Sequence, residues 1–167
     1  MEFILTLLAA AFHELAHTAA IVACGKSVKR IKIRPVGFTI EMSERLLTYN
    51  EEIIINLAGP FANALLFLIF RTSGGYPELF ALVNMALFSI NMLPVGMLDG
   101  GKILRAVLMK KLRYETACRI CDTISLIFTI LLWLAAVYLL LVTGSNISLY
   151  LAAVWLFRKL FLSKERS

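Results

Sequence analysis

The chain has 167 residues, of which 60% are hydrophobic and 17% charged, and its mean hydropathy is +0.82. A soluble domain of this size has roughly 45–50% apolar and about 25% charged residues, so the composition excludes an ordinary soluble fold and indicates a polytopic membrane protein. The formal net charge is +6. Because the basic residues are grouped in the segments that connect apolar stretches, we expect no nucleic-acid partner.

Five apolar stretches are candidates for transmembrane helices. They cover roughly residues 3–24, 52–70, 79–98, 122–142 and 147–162. The first has no basic start and no cleavage site before its polar centre, so it is predicted to be a span rather than a signal peptide. We expect a single domain over residues 1–167, with a core at 3–101, two additional helices and no regulatory domain.

The segment after the first stretch, "SVKRIKIRPVGFTIEM", alternates apolar and basic residues on either side of a Pro-Gly turn. This pattern predicts two short strands, and since an isolated hairpin is marginal, we expect it to lie against the membrane face of the helices. A disordered basic loop is the alternative. The predicted fold class is therefore a polytopic α-helical membrane protein, with about five transmembrane helices and a short membrane-associated β-hairpin after the first.

The lysines and arginines predict the orientation. Segment 25–51 carries six, segment 99–121 carries six and the carboxy-terminal tail carries four, whereas the alternate connections carry one between them, Arg71. Five crossings would put the three basic groups on one side, which the positive-inside rule makes cytoplasmic. We expect a multi-pass protein of the cell membrane with its amino terminus outside and its carboxyl terminus in the cytoplasm.

The first span contains the motif "HELAH", and its two histidines are the only two in the chain. On a helix, His13 and His17 project from one face, one turn apart. This is H-E-x-x-H, in which both imidazoles bind zinc and the glutamate, here Glu14, acts on water. The alternative is polar packing against a neighbouring helix, but a charged side chain at membrane depth costs at least about 2.5–3.5 kcal/mol.

A hydrolytic zinc site keeps three protein ligands and an open position. Since no third histidine exists, the remaining ligand should be a carboxylate or a cysteine near membrane depth. Apart from Glu14, the acidic residues outside the connections and termini are Asp99 and Asp122. Asp99 follows Pro94 and precedes two glycines, a sequence typical of a broken helix. It is the favoured ligand, with a helix cap as the alternative. Asp122 is expected to cap the fourth span.

Three motifs together make the chain resemble the site-2 protease family of intramembrane zinc metallopeptidases, M50, and within it the stage IV sporulation proteases of spore-forming bacteria. The motifs are "HELAH" (13–17), "AGPFAN" (58–63) and "NMLPVGMLDGG" (91–101). The resemblance covers about residues 5–120. The chain departs from the family pattern at Met97, where the family often has proline. The extra amino-terminal span and the carboxy-terminal domain of some sporulation proteases are not expected here.

The resemblance implies a zinc metalloendopeptidase with Zn²⁺ bound by His13, His17 and Asp99, with Glu14 as the catalytic base and Asn91 contacting the substrate. In "AGPFAN" the small residues favour close helix packing, while Asn63 could line the cavity beside Asn91.

The implied reaction is hydrolysis of a peptide bond in or next to the transmembrane segment of a membrane-tethered substrate, such as a sporulation transcription-factor precursor. Inhibitory or regulatory membrane proteins are candidate partners. A metal or proton transporter is the alternative, because intramembrane His, Glu and Asp also mark ion pathways; a catalytically silent adaptor is another.

Overall fold

The computed structural model describes residues 2–26, 28–34, 37–42 and 47–143. Their elements, in chain order, are α1 (Glu2–Ala23), β1 (Val28–Arg34), β2 (Gly37–Met42), α2 (Tyr49–Phe70), α3 (Gly75–Asn91), α4 (Asp99–Met109) and α5 (Tyr114–Thr143). The predicted span at 147–162 and the basic carboxy-terminal tail lie outside the described residues.

The number of membrane spans in the predicted fold class needs correction. Among the described helices, α1, α2 and α5 are long and apolar enough to cross a membrane, whereas α3 has 17 residues and α4 has 11. The prediction of about five transmembrane helices placed four of them before residue 143 and is wrong for this part of the chain. The predicted span 79–98 fails because its helix ends at Asn91, and the residues after Pro94 form a turn and then a separate helix.

The two strands pair only with each other in the described part of the chain. They are antiparallel, with Ile31 opposite Ile40, and β1 contacts α1. The turn residues 35–36 lie outside the described residues. The described fold is consequently a helical bundle that carries a two-stranded appendage, and the strands add no sheet to its core.

Helix α2 begins at a capping box. The Thr48 hydroxyl accepts a hydrogen bond from the Glu51 backbone N–H at 3.3 Å, and the Glu51 carboxylate accepts one from the Thr48 backbone N–H at 2.8 Å. These reciprocal bonds satisfy backbone donors that a helix start otherwise leaves unpaired. They define the start of the helix that occupies the centre of the bundle, where it contacts α1, α3 and α4.

The buried interior is polar and small, and the outer surface is apolar. One stripe of α2 at three- and four-residue spacing is buried: Ile55, Asn56, Gly59, Pro60 and Asn63. By contrast, the outward side chains of Phe61 and Leu141 are 69% and 79% exposed. Since lipid tails are as apolar as these side chains, the distribution is that of a membrane protein, with its polar groups directed to the bundle interior.

Candidate metal centre

The two histidines lie on one face of α1 and point into the bundle. Residues four apart in a helix share a face, so the rings of His13 and His17 stack edge to face with their centroids 4.7 Å apart. Both side chains are buried, at 6% and 7% exposure. Glu14, one residue further round the helix, is half-buried.

Asp99 reaches the histidines from the break between α3 and α4. It is the first residue of α4, and the N-cap is Leu98, which has extended backbone angles and no side-chain cap. The alternative in which Asp99 caps the helix is therefore excluded. The next two residues must be glycine, because a Cβ on Gly100 would collide with the Met92 carbonyl and one on Gly101 with the Val95 carbonyl.

Three ligand atoms converge at this point. His13 Nε2 lies 3.0 Å from Asp99 Oδ2, His17 Nε2 lies 3.1 Å from the same oxygen, and the two Nε2 atoms are 3.1 Å apart. Among the described residues, these three form a group whose His and carboxylate atoms could hold a metal ion. The ligands predicted from the sequence are thus brought together, although His13 and Asp99 are 86 residues apart in the chain.

The donor pattern of the cluster fits a cation. His17 Nδ1 donates a hydrogen bond to the Ile55 carbonyl at 2.7 Å, so a neutral His17 directs the lone pair of Nε2 at Asp99 Oδ2. Two acceptors 3.1 Å apart repel unless a proton or a cation lies between them. Ligands about 2.0–2.1 Å from a tetrahedral zinc ion are roughly 3.3–3.4 Å apart, close to the sides of this triangle.

Helix α2 forms the wall of the cluster. A Cβ on Gly59 would collide with His17 Nε2 and would lie 2.7 Å from His13 Nε2. The hydrogen bond from His17 to Ile55 belongs to the same wall. A partner on the second ring nitrogen sets the tautomer and the orientation of a ligating histidine, so α2 both admits the imidazoles and orients one of them.

The second oxygen of Asp99 has its own partner. Lys102 Nζ lies 2.8 Å from Asp99 Oδ1, three residues along α4. Lys102 thus holds the carboxylate oxygen that does not face the imidazoles, and a metal ligand of this kind binds as the anion.

Asn91 and Asn63, the two predicted substrate contacts, have no hydrogen bond to this cluster in the described part of the chain. Asn91 ends α3, and its amide donates to the Leu87 carbonyl at 3.1 Å. Asn63 is fully buried, and its side-chain amide has no hydrogen-bond partner among the described residues. No hydrogen bond within the described chain joins either of them to the cluster, so their substrate-binding role stays a prediction.

Sequence reasoning missed the residues that support the cluster. It treated Gly59 only as one of the small packing residues of "AGPFAN", and it did not consider the Ile55 carbonyl or Lys102. The sequence signal for Gly59 was its four-residue spacing from Ile55 and from Asn63, which puts the three residues on one face of α2. The expectation that Asp122 caps a helix is wrong, because α5 begins eight residues earlier, at Tyr114, and Asp122 is exposed within it.

The fold and the cluster together define a polytopic helical membrane protein with a buried site of two imidazoles and one carboxylate. Comparison with protein families agrees: residues 2–98 match the family described as Peptidase M50B-like, and residues 75–132 match Peptidase family M50. The chain belongs to peptidase family M50.

Two curated proteins are similar to it in sequence. Stage IV sporulation protein FB of Bacillus subtilis is 32% identical over 163 residues, which is 93% of this chain and 56% of that protein. Zinc metalloprotease MJ0392 of Methanocaldococcus jannaschii is 30% identical over 132 residues, 73% of this chain and 38% of that protein. The chain therefore spans about half, or less, of the length of these relatives.

A similar solved structure is the Site-2 Protease from Methanocaldococcus jannaschii. It superimposes with a TM-score of 0.68 at 26% identity, covering 96% of this chain and 76% of that one. The site-2 protease resemblance predicted from the three motifs is confirmed at the level of the family.

Proposed function

We propose that this protein is an intramembrane zinc endopeptidase, which hydrolyses a peptide bond in or next to the transmembrane segment of a membrane-tethered protein. The observation that carries the proposal is the convergence of His13, His17 and Asp99 within 3.0–3.1 Å, on a helix that places Glu14 beside the first histidine. The names of the relatives, a zinc metalloprotease and a site-2 protease, support the metal and the reaction class.

In this proposal His13 Nε2, His17 Nε2 and Asp99 Oδ2 would hold the zinc ion. When bound, it would supply the chemistry of zinc hydrolases, which is activation of water and polarisation of the scissile carbonyl. The protein contributes a fixed set of ligands: α1 supplies the imidazoles, α4 supplies the anion, and α2 orients His17 through the Ile55 carbonyl. Because three protein ligands leave a fourth position open, the set is suited to catalysis rather than to a closed structural site.

Glu14 is the proposed general base and acid. It takes a proton from the attacking water as the oxygen adds to the carbonyl carbon, and it gives that proton to the leaving nitrogen as the C–N bond breaks. The products are one carboxylate and one amine. Asn91 and Asn63 are proposed substrate contacts, supported for Asn63 by a fully buried side-chain amide without a hydrogen-bond partner among the described residues.

The proposed orientation has the amino terminus outside and the carboxyl terminus in the cytoplasm. Two contacts support it by gathering basic residues at one end of the bundle: Lys26 pairs with Glu51 at 3.1 Å, and Lys110 donates to Asn50 at 2.7 Å. Both partners are in the first turn of α2, whose opposite end carries Arg71. The metal ligands then lie inside the bilayer, nearer to the cytoplasm.

The proposed substrate is a membrane-tethered precursor of a sporulation transcription factor, supported by the similarity to a sporulation protein. A membrane protein that blocks access to the site is the proposed regulator. Deleting the gene in a spore-forming host should stop processing of that precursor, and continued processing would dismiss this substrate.

The decisive test of the reaction uses purified protein in detergent with a membrane-tethered substrate. Zinc-dependent cleavage should be lost in Glu14→Gln while the bound zinc is retained, and it should be lost together with the zinc in His13→Ala. Glu78→Gln, an exposed glutamate at the start of α3, serves as the matched control and should cleave normally. Equal cleavage by Glu14→Gln would remove Glu14 from the mechanism.

A metal transporter is the competing function, since buried His and Asp also mark ion pathways. Zinc flux into proteoliposomes that depends on Asp99, without proteolysis of any substrate, would favour it.

A further inference from the structure

Helix α5 reaches the turn that delivers Asp99 through one hydroxyl. Ser125 Oγ accepts a hydrogen bond from the Gly96 backbone N–H at 2.9 Å and lies 3.3 Å from the Pro94 carbonyl, to which it donates. Its side chain is buried, at 3% exposure. A single hydroxyl can accept and donate at once, so Ser125 pairs two backbone groups of the turn on either side of Val95.

This bonding differs from that of three other serine and threonine hydroxyls in the described helices. Thr18, Ser89 and Thr123 each bond to the carbonyl four residues earlier in their own helix, the local contact that is usual for these residues. Ser125 instead bonds to a segment about 30 residues away in the chain. The serine therefore joins two separate elements.

The turn between Gly96 and Asp99 has little freedom to absorb a change. The Leu98 backbone N–H donates to the Val95 carbonyl at 2.8 Å, and Val95 itself is 1% exposed. Gly100 and Gly101 pack directly on the carbonyls of the same turn. Since close-packed segments transmit displacement, a shift at Gly96 moves the start of α4 and with it the Asp99 carboxylate.

We propose that Ser125 is a positioning residue for the metal site, fixing the turn so that Asp99 Oδ2 meets the two imidazoles. The inference rests on the proposed role of Asp99 as a zinc ligand. It also makes α5 part of the site, although the sequence placed that helix outside the core at 3–101. Groups that orient metal ligands typically change metal affinity by about 10–100-fold when they are removed.

The test measures zinc affinity of the full chain in detergent by competition with a chelating dye, independently of proteolysis. Ser125→Ala should weaken zinc binding by about 10–100-fold. Thr129→Val is the matched control, because it removes a buried hydroxyl one turn along the same helix, and it should stay within about twofold of the wild type. Wild-type affinity in Ser125→Ala, or an equal loss in Thr129→Val, would overturn the inference.

A double-mutant cycle separates positioning of Asp99 from a general loss of packing. In an Asp99→Ala background, Ser125→Ala should leave the residual zinc affinity unchanged, and a further loss of the same size would contradict the inference. If Ser125→Ala does not fold, the nearly isosteric Ser125→Cys decides the question. Its thiol is a weak donor and acceptor, so its zinc affinity should fall about tenfold, and wild-type affinity would refute the role. Failure of the wild-type protein to bind zinc would instead contradict the proposed function.

Discussion

The backbone of Gly59 in α2 lies directly against the imidazole of His17 in α1. A Cβ at this position would collide with His17 Nε2 and approach His13 Nε2 to 2.7 Å. The absence of a side chain is therefore what lets both rings turn toward Asp99. The close approach also brings α2 near enough for its Ile55 carbonyl to hold His17 Nδ1.

The variant Gly59→Ala should consequently lose metal binding. The added methyl group occupies the space of the ligand atoms, so we expect zinc affinity to fall by at least about tenfold, the lower end of the effect of disturbed metal surroundings. Competition with a chelating dye measures it. Leu65→Ala, at an exposed position of the same helix, is the control and should bind zinc normally. Normal zinc binding by Gly59→Ala would show that α2 can retreat from the imidazoles without consequence.

Removal of the metal should destabilise the protein. A cation shared by α1 and α4 adds its binding free energy to the folded state, about 2.7 kcal/mol at a free concentration of 100 times the Kd. We expect EDTA to lower the Tm by several degrees and zinc to restore it. In His17→Ala the same treatment should have little effect, because one of the three ligands is missing. An identical shift in that variant would locate the stabilising metal elsewhere.

How far the sequence predicts this site depends on the kind of interaction. His13 and His17 could be placed on one face because helical periodicity is local, and Asp99 could be selected because few carboxylates lie near membrane depth. The roles of Gly59 and Ser125 could not be predicted, because each depends on which helix packs against which. Pro94 indicated a broken third span, yet the end of α3 at Asn91 required the structure, since local sequence does not set how the turn folds back on α4.

Lys102 should tune the affinity of the site through Asp99. Its ammonium lies 2.8 Å from Asp99 Oδ1, but its side chain is 45% exposed, so solvent screens part of the interaction. We expect Lys102→Ala to weaken zinc binding by about tenfold, the lower end for an outer partner, because the carboxylate loses the group that fixes its rotation. Lys110→Ala, whose partner is Asn50, should bind zinc normally. Tighter zinc binding in Lys102→Ala would mean that repulsion between the Lys102 ammonium and the zinc ion outweighs the benefit of holding the Asp99 carboxylate in place.

The two connections at opposite ends of the bundle should be accessible from opposite sides of the membrane. Ser73, between α2 and α3, and Lys111, between α4 and α5, are both exposed. After the native cysteines are replaced by serine, a membrane-impermeant maleimide should label Ser73→Cys in intact cells and Lys111→Cys only after permeabilisation. The reason is that basic connections stay in the cytoplasm. Labelling of both positions in intact cells would contradict the placement of these two connections on opposite sides, and the reversed pattern would invert the orientation.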